Sequence, residues 1–290
     1  MKIITSPNRM QRTSQALKRN GKVIGFVPTM GYLHQGHLSL VKEAKRRSDM
    51  VVASIFVNPI QFEPSEDFQR YPRDLNRDKN QLQEAKCDIL FFPSQKEIYP
   101  EGFLTYANVE EITRSLEGAS RPGHFKGVVT VVAKLFNLVL PDLAFFGQKD
   151  AQQVVTIKKM AADLNFPIEI VTCPTVRDQN GLALSSRNTY LNTDEYRQAL
   201  SLSEALQKAK DLIRLGEKDP RIVTNSMREV IQKNPSAQIE YLALTDPKEL
   251  KPVDKIQKDV LISMAVRIGT TRLIDNICLK VNEKVREIRC

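Results

Sequence analysis

The sequence has no tryptophan, only three histidines and four cysteines, and no apolar run that approaches membrane-spanning length. Each shortage excludes something. A transmembrane helix needs about 20 consecutive apolar residues, and stretches such as "MVVASIFV" fall far short of that. Cys87, Cys173, Cys278 and Cys290 are scattered and form no C-x-x-C pair, so neither a zinc knuckle nor a disulfide framework is indicated. They read as structural or incidental thiols. The opening "MKIITSPNRMQRTSQALKRNGK" alternates polar and apolar residues and lacks the apolar centre of a secretory signal, so a cytoplasmic protein is expected. Internal repeats and low-complexity tracts are missing as well.

Concentrated basic charge is also scarce. A net charge of +9 arises from 43 basic against 34 acidic residues, yet the longest basic run is Lys45-Arg46-Arg47. Nucleic-acid binding calls for Lys and Arg gathered on one face, preferably with aromatics among them. The pattern predicts no nucleic-acid partner and a solvated surface that favours anionic small molecules. What remains is ordinary for a soluble globular enzyme: 290 residues, 41% hydrophobic and 27% charged, enough for one large domain or two smaller ones.

Strand-like and helix-like segments alternate over the first 175 or so residues. "KVIGFVPT", "MVVASIFV", "DILFFP", "DLAFFG" and "IEIVTCPTV" read as strands, several of them continuous apolar runs of the kind buried on both faces of a parallel sheet. Between them "HLSLVKEAKRRS", "DLNRDKNQLQEAK" and "DAQQVVTIKKMAADL" read as helices. "GVVTVVAKLFNLV" reads as a long apolar helix, although its β-branched residues leave a strand open. Alternation of this kind predicts an α/β fold, a Rossmann-like doubly wound parallel sheet that binds ligands beyond the carboxyl ends of its strands.

The pattern changes after "RDQNGLALSSRNTYL". "NTDEYRQALSLSEALQKAKDLIRLG" is a long amphipathic helix with Asn192 as N-cap, Glu195 at N3 and Gly216 at its end. A second helix opens with Asp219 as cap and Pro220 in the first turn. "QIEYLALTD", "DVLISMAVRI" and "TRLIDNICL" then read as strands, which predicts a smaller C-terminal α+β domain. The expected domains are 1–176 and 177–290, with the boundary region at 176 to 188.

Two of the three histidines stand in "TMGYLHQGHLSL", after a strand and at the start of a helix. A helix N-terminus carries unpaired N–H groups and partial positive charge, so it attracts anions. Gly31 and Gly36 allow the backbone close to a phosphate, and His34 and His37 can donate to it. No third ligand follows at metal spacing, so the pair reads as anion-handling rather than metal-binding. A second constellation, Phe146-Gly147-Gln148-Lys149-Asp150, also ends a strand and opens a helix. Gly147 lets the backbone approach, Lys149 offers a point charge, and Asp150 either caps the helix or meets a ligand's hydroxyls. Leu184-Ser185-Ser186-Arg187 suits a polyphosphate tail. "FVNPIQF" ends another strand with Asn58, Pro59 and Gln61, and Gln153 lies one helical turn beyond Asp150. Three βα junctions thus carry anion-binding or polar chemistry at one expected sheet edge.

"PTMGYLHQGHLSLV", "FVNPIQF", "YPRDLNRD", "RPGHFKGV", "FFGQKDAQQ", "NGLALSSRN" and "TRLIDN", in this order from about residue 23 to 277, resemble the pantothenate synthetase (pantoate–β-alanine ligase) family. His-x-Gly-His alone would indicate only the wider nucleotidyltransferase superfamily; "FVNPIQF" with "GQKDAQQ" narrows it. The resemblance implies a two-step, ATP-dependent condensation of (R)-pantoate with β-alanine through a pantoyl adenylate, releasing pyrophosphate and then AMP. It implies ATP as substrate, a magnesium ion, a homodimer and a C-terminal lid. Met30, His34, His37, Gly147, Lys149, Asp150, Val176, Leu184, Ser185, Ser186 and Arg187 would take ATP. His37, His34 and Lys149 would be the catalytic groups, with His37 the family's proton donor, for which charge stabilisation at the α-phosphate is the more physical role. Gln61 and Gln153 would hold pantoate, and Gln61 would also lie near β-alanine. Asp78 and Gln81 are the metal candidates, the phosphates being the main ligands. Gln148 stands where the family often has Glu, and Arg77 where some members carry an acidic residue. His124, in "RPGHF", is expected in a loop near the substrate or in a structural role.

Overall fold

In the computed structural model, which describes residues 1–64, 66–282 and 285–290, five short apolar runs and the first residues of the chain line up as one parallel sheet. Its strands are β1 (Lys2–Ile4), β2 (Ile24–Thr29), β3 (Met50–Ile55), β4 (Ile89–Phe91), β5 (Leu143–Gly147) and β6 (Glu169–Cys173). Helices α1 (Pro7–Arg19), α2 (Gln35–Arg47), α3 (Leu75–Glu84), α4 (Gln95–Ile98), α5 (Glu117–Ser120), α6 (His124–Val139) and α7 (Ala151–Asp163) lie between or after them. The strand order is β1-β4-β3-β2-β5-β6, every pair parallel. This is the doubly wound arrangement expected from the alternation.

The order reverses at β2, whose neighbours are β3 and β5, so the topological switch point lies between β2 and β5. Pairing there joins only Gly25 to Leu143 and Phe26 to Ala144. The ladder therefore stops before the carboxyl ends of the two strands, Thr29 and Gly147. Val27, Leu33, Val41, Val51, Leu90 and Phe145 belong to the apolar cluster on this sheet, all fully buried. "GVVTVVAKLFNLV" is helical: Val128, Val129, Val131 and Val132 are buried, because α6 is enclosed on most of its circumference and packing overrides the β-branched preference.

The second half contains α8 (Thr193–Arg214), α9 (Pro220–Ile231), β7 (Ala237–Thr245), β8 (Val260–Ile268), β9 (Thr271–Lys280) and β10 (Arg286–Ile288). The four strands form an antiparallel sheet, β10-β9-β8-β7, with its own core around Leu202, Leu206, Met227, Ile262 and Met264. Asn192 caps α8 and Glu195 returns the bond to its N–H; Asp219 caps α9. Both caps match the sequence reading.

One compact unit comprises residues 1–113, 121–147 and 156–173; the other comprises 114–120, 148–155 and 174–290. The longest segment of the second unit begins at residue 174, and its two inner segments join it through polar contacts. Glu117 pairs with Arg272 at 2.6 and 2.9 Å and accepts from Tyr241 at 2.8 Å, while Gln148 bonds Asn276 at 3.0 Å. Sequence patterning omits β1, α1, the short helices α4 and α5, and β10. The signal for α1 was present: Ser6 accepts from Arg9 N–H at its start, and Pro7 follows in the first turn. Among the described residues no helix is long and apolar enough to cross a membrane.

Candidate active site

The histidine loop is built by its own side chains and held from α3. His34 is the N-cap of α2 and His37 stands at N3, the spacing of a capping box. Gly36 N–H donates to His34 Nδ1 at 3.1 Å, and His34 N–H donates to His37 Nδ1 at 3.3 Å. An imidazole nitrogen that accepts a hydrogen bond carries no proton, so each neutral ring keeps its N–H on Nε2. The ring centroids are 4.0 Å apart. Gly36 has its own reason to be glycine: a Cβ there would come within 2.8 Å of the His34 ring.

Upstream, Gly31 adopts φ +83°, and a Cβ there would meet Asp78 Oδ2 at 3.0 Å and Ile55 at 2.9 Å. Tyr32 is left-handed at φ 49°, a cost the surroundings must offset. They do so with a carboxylate. Asp78, on α3 and only 2% exposed, accepts Tyr32 N–H at 2.7 Å and Leu33 N–H at 2.8 Å. Burial pushes its pKa up, against the pull of those two N–H groups and Arg77. Arg77 donates to Leu33 O at 2.9 Å, and its guanidinium lies 4.7 Å from the Tyr32 ring centroid. Asp78, a metal candidate by sequence, therefore has a positioning task that sequence spacing did not reveal. Gln81, one turn later, keeps a buried Oε1 with no hydrogen-bond partner. Carboxylate and amide oxygens are the hard donors magnesium prefers, but among the described residues no three His, Cys, Asp or Glu side chains stand together as a metal cage.

Gln61 ends a 3₁₀ turn, Pro59–Gln61, after β3 and is 8% exposed. Its Oε1 accepts from Asn58 Nδ2 at 3.0 Å, and its Nε2 donates to Met30 Sδ at 3.3 Å. Asn58 is fixed in turn, donating to Gly127 O at 3.0 Å and accepting from Tyr99 OH at 2.8 Å. Burial raises the pKa of that phenol, which keeps it a donor. Gly127 lets the turn lie directly on α6: a Cβ there would come within 2.5 Å of Ile60 O and 2.6 Å of Gln61 Cα. The structure thus brings Met30, Gln61 and the histidine loop together at the carboxyl ends of β2 and β3, neighbours in the sheet.

The remaining expected residues lie at the end of β5 and in the second unit. Gly147 closes β5, and Gln148–Asp150 forms a 3₁₀ turn before α7. The Asp150 carboxylate lies 3.4 Å from Lys149 Nζ and is 46% exposed, against 19% for the lysine. Two consecutive residues of β9 fix both candidate phosphate loops of this unit. Asn276 Nδ2 donates to Gln148 O at 3.1 Å and Lys149 O at 2.7 Å. Asp275, 2% exposed, takes Arg177 in a two-pronged pair at 2.6 and 2.9 Å. Burial opposes the charge of Arg177, and the Asp275 pair outweighs it and raises its pKa. Arg177 begins the turn that returns through Gly181, φ +96°, to Leu184, whose N–H donates to Val176 O at 2.9 Å. Ser185 then caps the 3₁₀ turn Ser186–Tyr190 by accepting Arg187 N–H at 3.3 Å. Gln153 is half-buried in the first turn of α7; its neighbour Gln152, 5% exposed, bonds Ser115 O and Glu117 N–H.

A family model described as pantoate-beta-alanine ligase matches residues 2–278. A pantothenate synthetase of a Sulfurihydrogenibium species is 52% identical over 278 residues, covering 96% of this chain and 99% of that one. One from Moorella thermoacetica is 55% identical over 268 residues, 92% of this chain and 95% of its own. Among solved structures, pantothenate synthetase from Thermus thermophilus superposes with a TM-score of 0.91 at 46% identity, covering 96% and 99% of the two chains. Pantoate-beta-alanine ligase from Francisella tularensis, complexed with a β,γ-ATP ligand and β-alanine, gives 0.79 at 38% identity over 95% and 97%.

Proposed function

This chain belongs to the pantoate–β-alanine ligase family, and from that premise we propose that it condenses (R)-pantoate with β-alanine at the expense of ATP. The observation that carries the reading is the His34–His37 pair: two neutral rings with their protons on Nε2, at a helix N-terminus beside the switch point of a doubly wound sheet.

In the first step a pantoate carboxylate oxygen attacks the α-phosphorus of ATP, and the bond to the bridging oxygen breaks as pyrophosphate leaves. Negative charge builds on the α-phosphate oxygens, where imidazole N–H donors and the α2 N-terminus lower its energy. His37 then acts by charge stabilisation, with His34 beside it and Lys149 as a point charge. In the second step the β-alanine amine attacks the acyl carbon of pantoyl adenylate, the bond to AMP oxygen breaks, and the amine loses a proton. Met30, Gly147, Lys149, Asp150, Val176 and Leu184 to Arg187 take ATP. Gln61 and Gln153, uncharged donors and acceptors, take the hydroxyls and carboxylate of pantoate. When bound, magnesium would neutralise phosphate charge, held mainly by the nucleotide; Asp78 and the unpartnered oxygen of Gln81 would be the oxygen donors of this chain. A cytoplasmic homodimer completes the proposal.

The test separates the half-reactions. ATP and pantoate alone should release pyrophosphate, and AMP should appear only when β-alanine is added. A product that retains the nucleotide would replace this reading with simple nucleotidyl transfer.

A further inference from the structure

His124 is the one histidine to which the reaction gives no task. It is the first residue of α6, 8% exposed, and its ring packs edge-on to Phe125 with centroids 5.0 Å apart. Nδ1 lies 2.9 Å from the backbone oxygen of Gln61, and Nε2 lies 3.0 Å from Arg121 Nη1. These two partners leave the ring no choice of tautomer. A guanidinium nitrogen only donates, so Nε2 must accept; a carbonyl oxygen only accepts, so Nδ1 must carry the proton.

Arg121 is itself tied down. Its Nε and Nη2 meet the two carboxylate oxygens of Glu66, the latter at 2.9 Å. Burial alone would raise the pKa of Glu66, but the hydrogen bond and charge of Arg121 outweigh it and the net shift is downward. A line of contacts thus runs from Glu66 through Arg121 and His124 to Gln61. The far end needs this support. The turn Pro59–Gln61 spans three residues, and its own backbone bonds are long: Gln61 N–H to Asn58 O at 3.4 Å and Phe62 N–H to Pro59 O at 3.3 Å. The Gln61 amide meanwhile donates to the thioether of Met30, a weak acceptor that a ligand oxygen would readily replace.

We infer that His124 is a positioning residue: a neutral imidazole, oriented by Arg121, that grips the Gln61 carbonyl and so aims the Gln61 amide at pantoate. The inference rests on the ligase reading and on Gln61 as a pantoate contact. It differs from a purely structural role because its effect should pass through one substrate.

The experiment measures KM for pantoate and for ATP by pyrophosphate release, with melting curves to confirm folding. The set comprises wild type, Gln61→Ala, His124→Phe, His124→Asn and the Gln61→Ala/His124→Phe double variant. His124→Phe should raise the pantoate KM about tenfold, the scale of one hydrogen bond, and leave the ATP KM within about twofold. His124→Asn, which places an N–H where Nδ1 stood, should recover most of the loss even if the phenylalanine variant folds poorly. Against Gln61→Ala, His124→Phe should add nothing further to the pantoate KM. Equal changes in both KM values, no recovery in the asparagine variant, or additive effects in the double variant would overturn the role of His124. An unchanged pantoate KM in Gln61→Ala would instead bring down the Gln61 assignment, and the inference with it.

Discussion

A neutral imidazole owns one donor and one acceptor, and under the proposed mechanism His37 would divide them between the fold and the reaction. Its Nδ1 accepts the His34 N–H and closes the start of α2, while the proposed chemistry needs the N–H on Nε2. Amide substitutions can separate the two. Asparagine places its polar atoms near Nδ1, and glutamine reaches further, toward Nε2. His37→Asn should therefore keep the cap, melt close to wild type and lose about 100-fold in pyrophosphate release, the scale of one oriented donor. His37→Gln should lose part of the cap's stability, about 1 kcal/mol, and retain more activity than the asparagine variant. The reverse order of activities would show that His37 serves the loop alone. The site's local build was legible because strand, glycine, two imidazoles and helix follow one another in sequence. The tautomer was not, since only coordinates show which nitrogen faces which N–H.

Elements were legible where pattern and cap agreed, as in α8 and α9, and less so where the chain is fully enclosed, as in α6. What patterning could not supply is the work of β9. "TRLIDN" looks like an ordinary strand, yet Asp275 and Asn276 reach back 98 and 128 positions to Arg177 and Gln148. Contacts at that separation leave no trace in local periodicity. Separation in sequence also hid Asp78 as the prop of the histidine loop, 46 positions from Tyr32. Asn276 holds two successive carbonyls, those of Gln148 and Lys149, and is 4% exposed. Asn276→Ala would leave the buried Gln148 oxygen and the part-buried Lys149 oxygen short of a donor, at about 1–3 kcal/mol for the buried one before water enters. The turn carrying Lys149 would loosen while β2, β3 and Gln61 stayed as they are. The ATP KM should rise about tenfold or more with the pantoate KM nearly unchanged. Steady-state pyrophosphate release with each substrate varied in turn decides it, and a rise confined to pantoate would remove Asn276 from the ATP side.

At the scale of the whole molecule, the chain divides its apolar residues into separate cores. Leu90 is fully buried in the cluster on the parallel sheet, and Leu206, 2% exposed, in the cluster on the antiparallel one. In the sequence the pattern changes from alternating strands and helices to helices followed by strands, from which two domains are expected. It could not show that residues 114–120 and 148–155 count with the second, because Glu117, Arg272, Gln148 and Asn276 meet only after folding. Leu→Ala at a buried site removes side-chain contacts and leaves a cavity, at about 2–5 kcal/mol. Separate cores predict where that loss is felt. Leu206→Ala should weaken amide protection in α8, α9 and β7 to β9, with little change in β2, β3 and β5; Leu90→Ala should do the opposite. Native-state hydrogen exchange resolves the two, since local opening reports the stability of each cooperative unit. A protection loss spread evenly over both sheets by either substitution would mean that the two cores unfold together, and that the division of the chain is architectural rather than energetic.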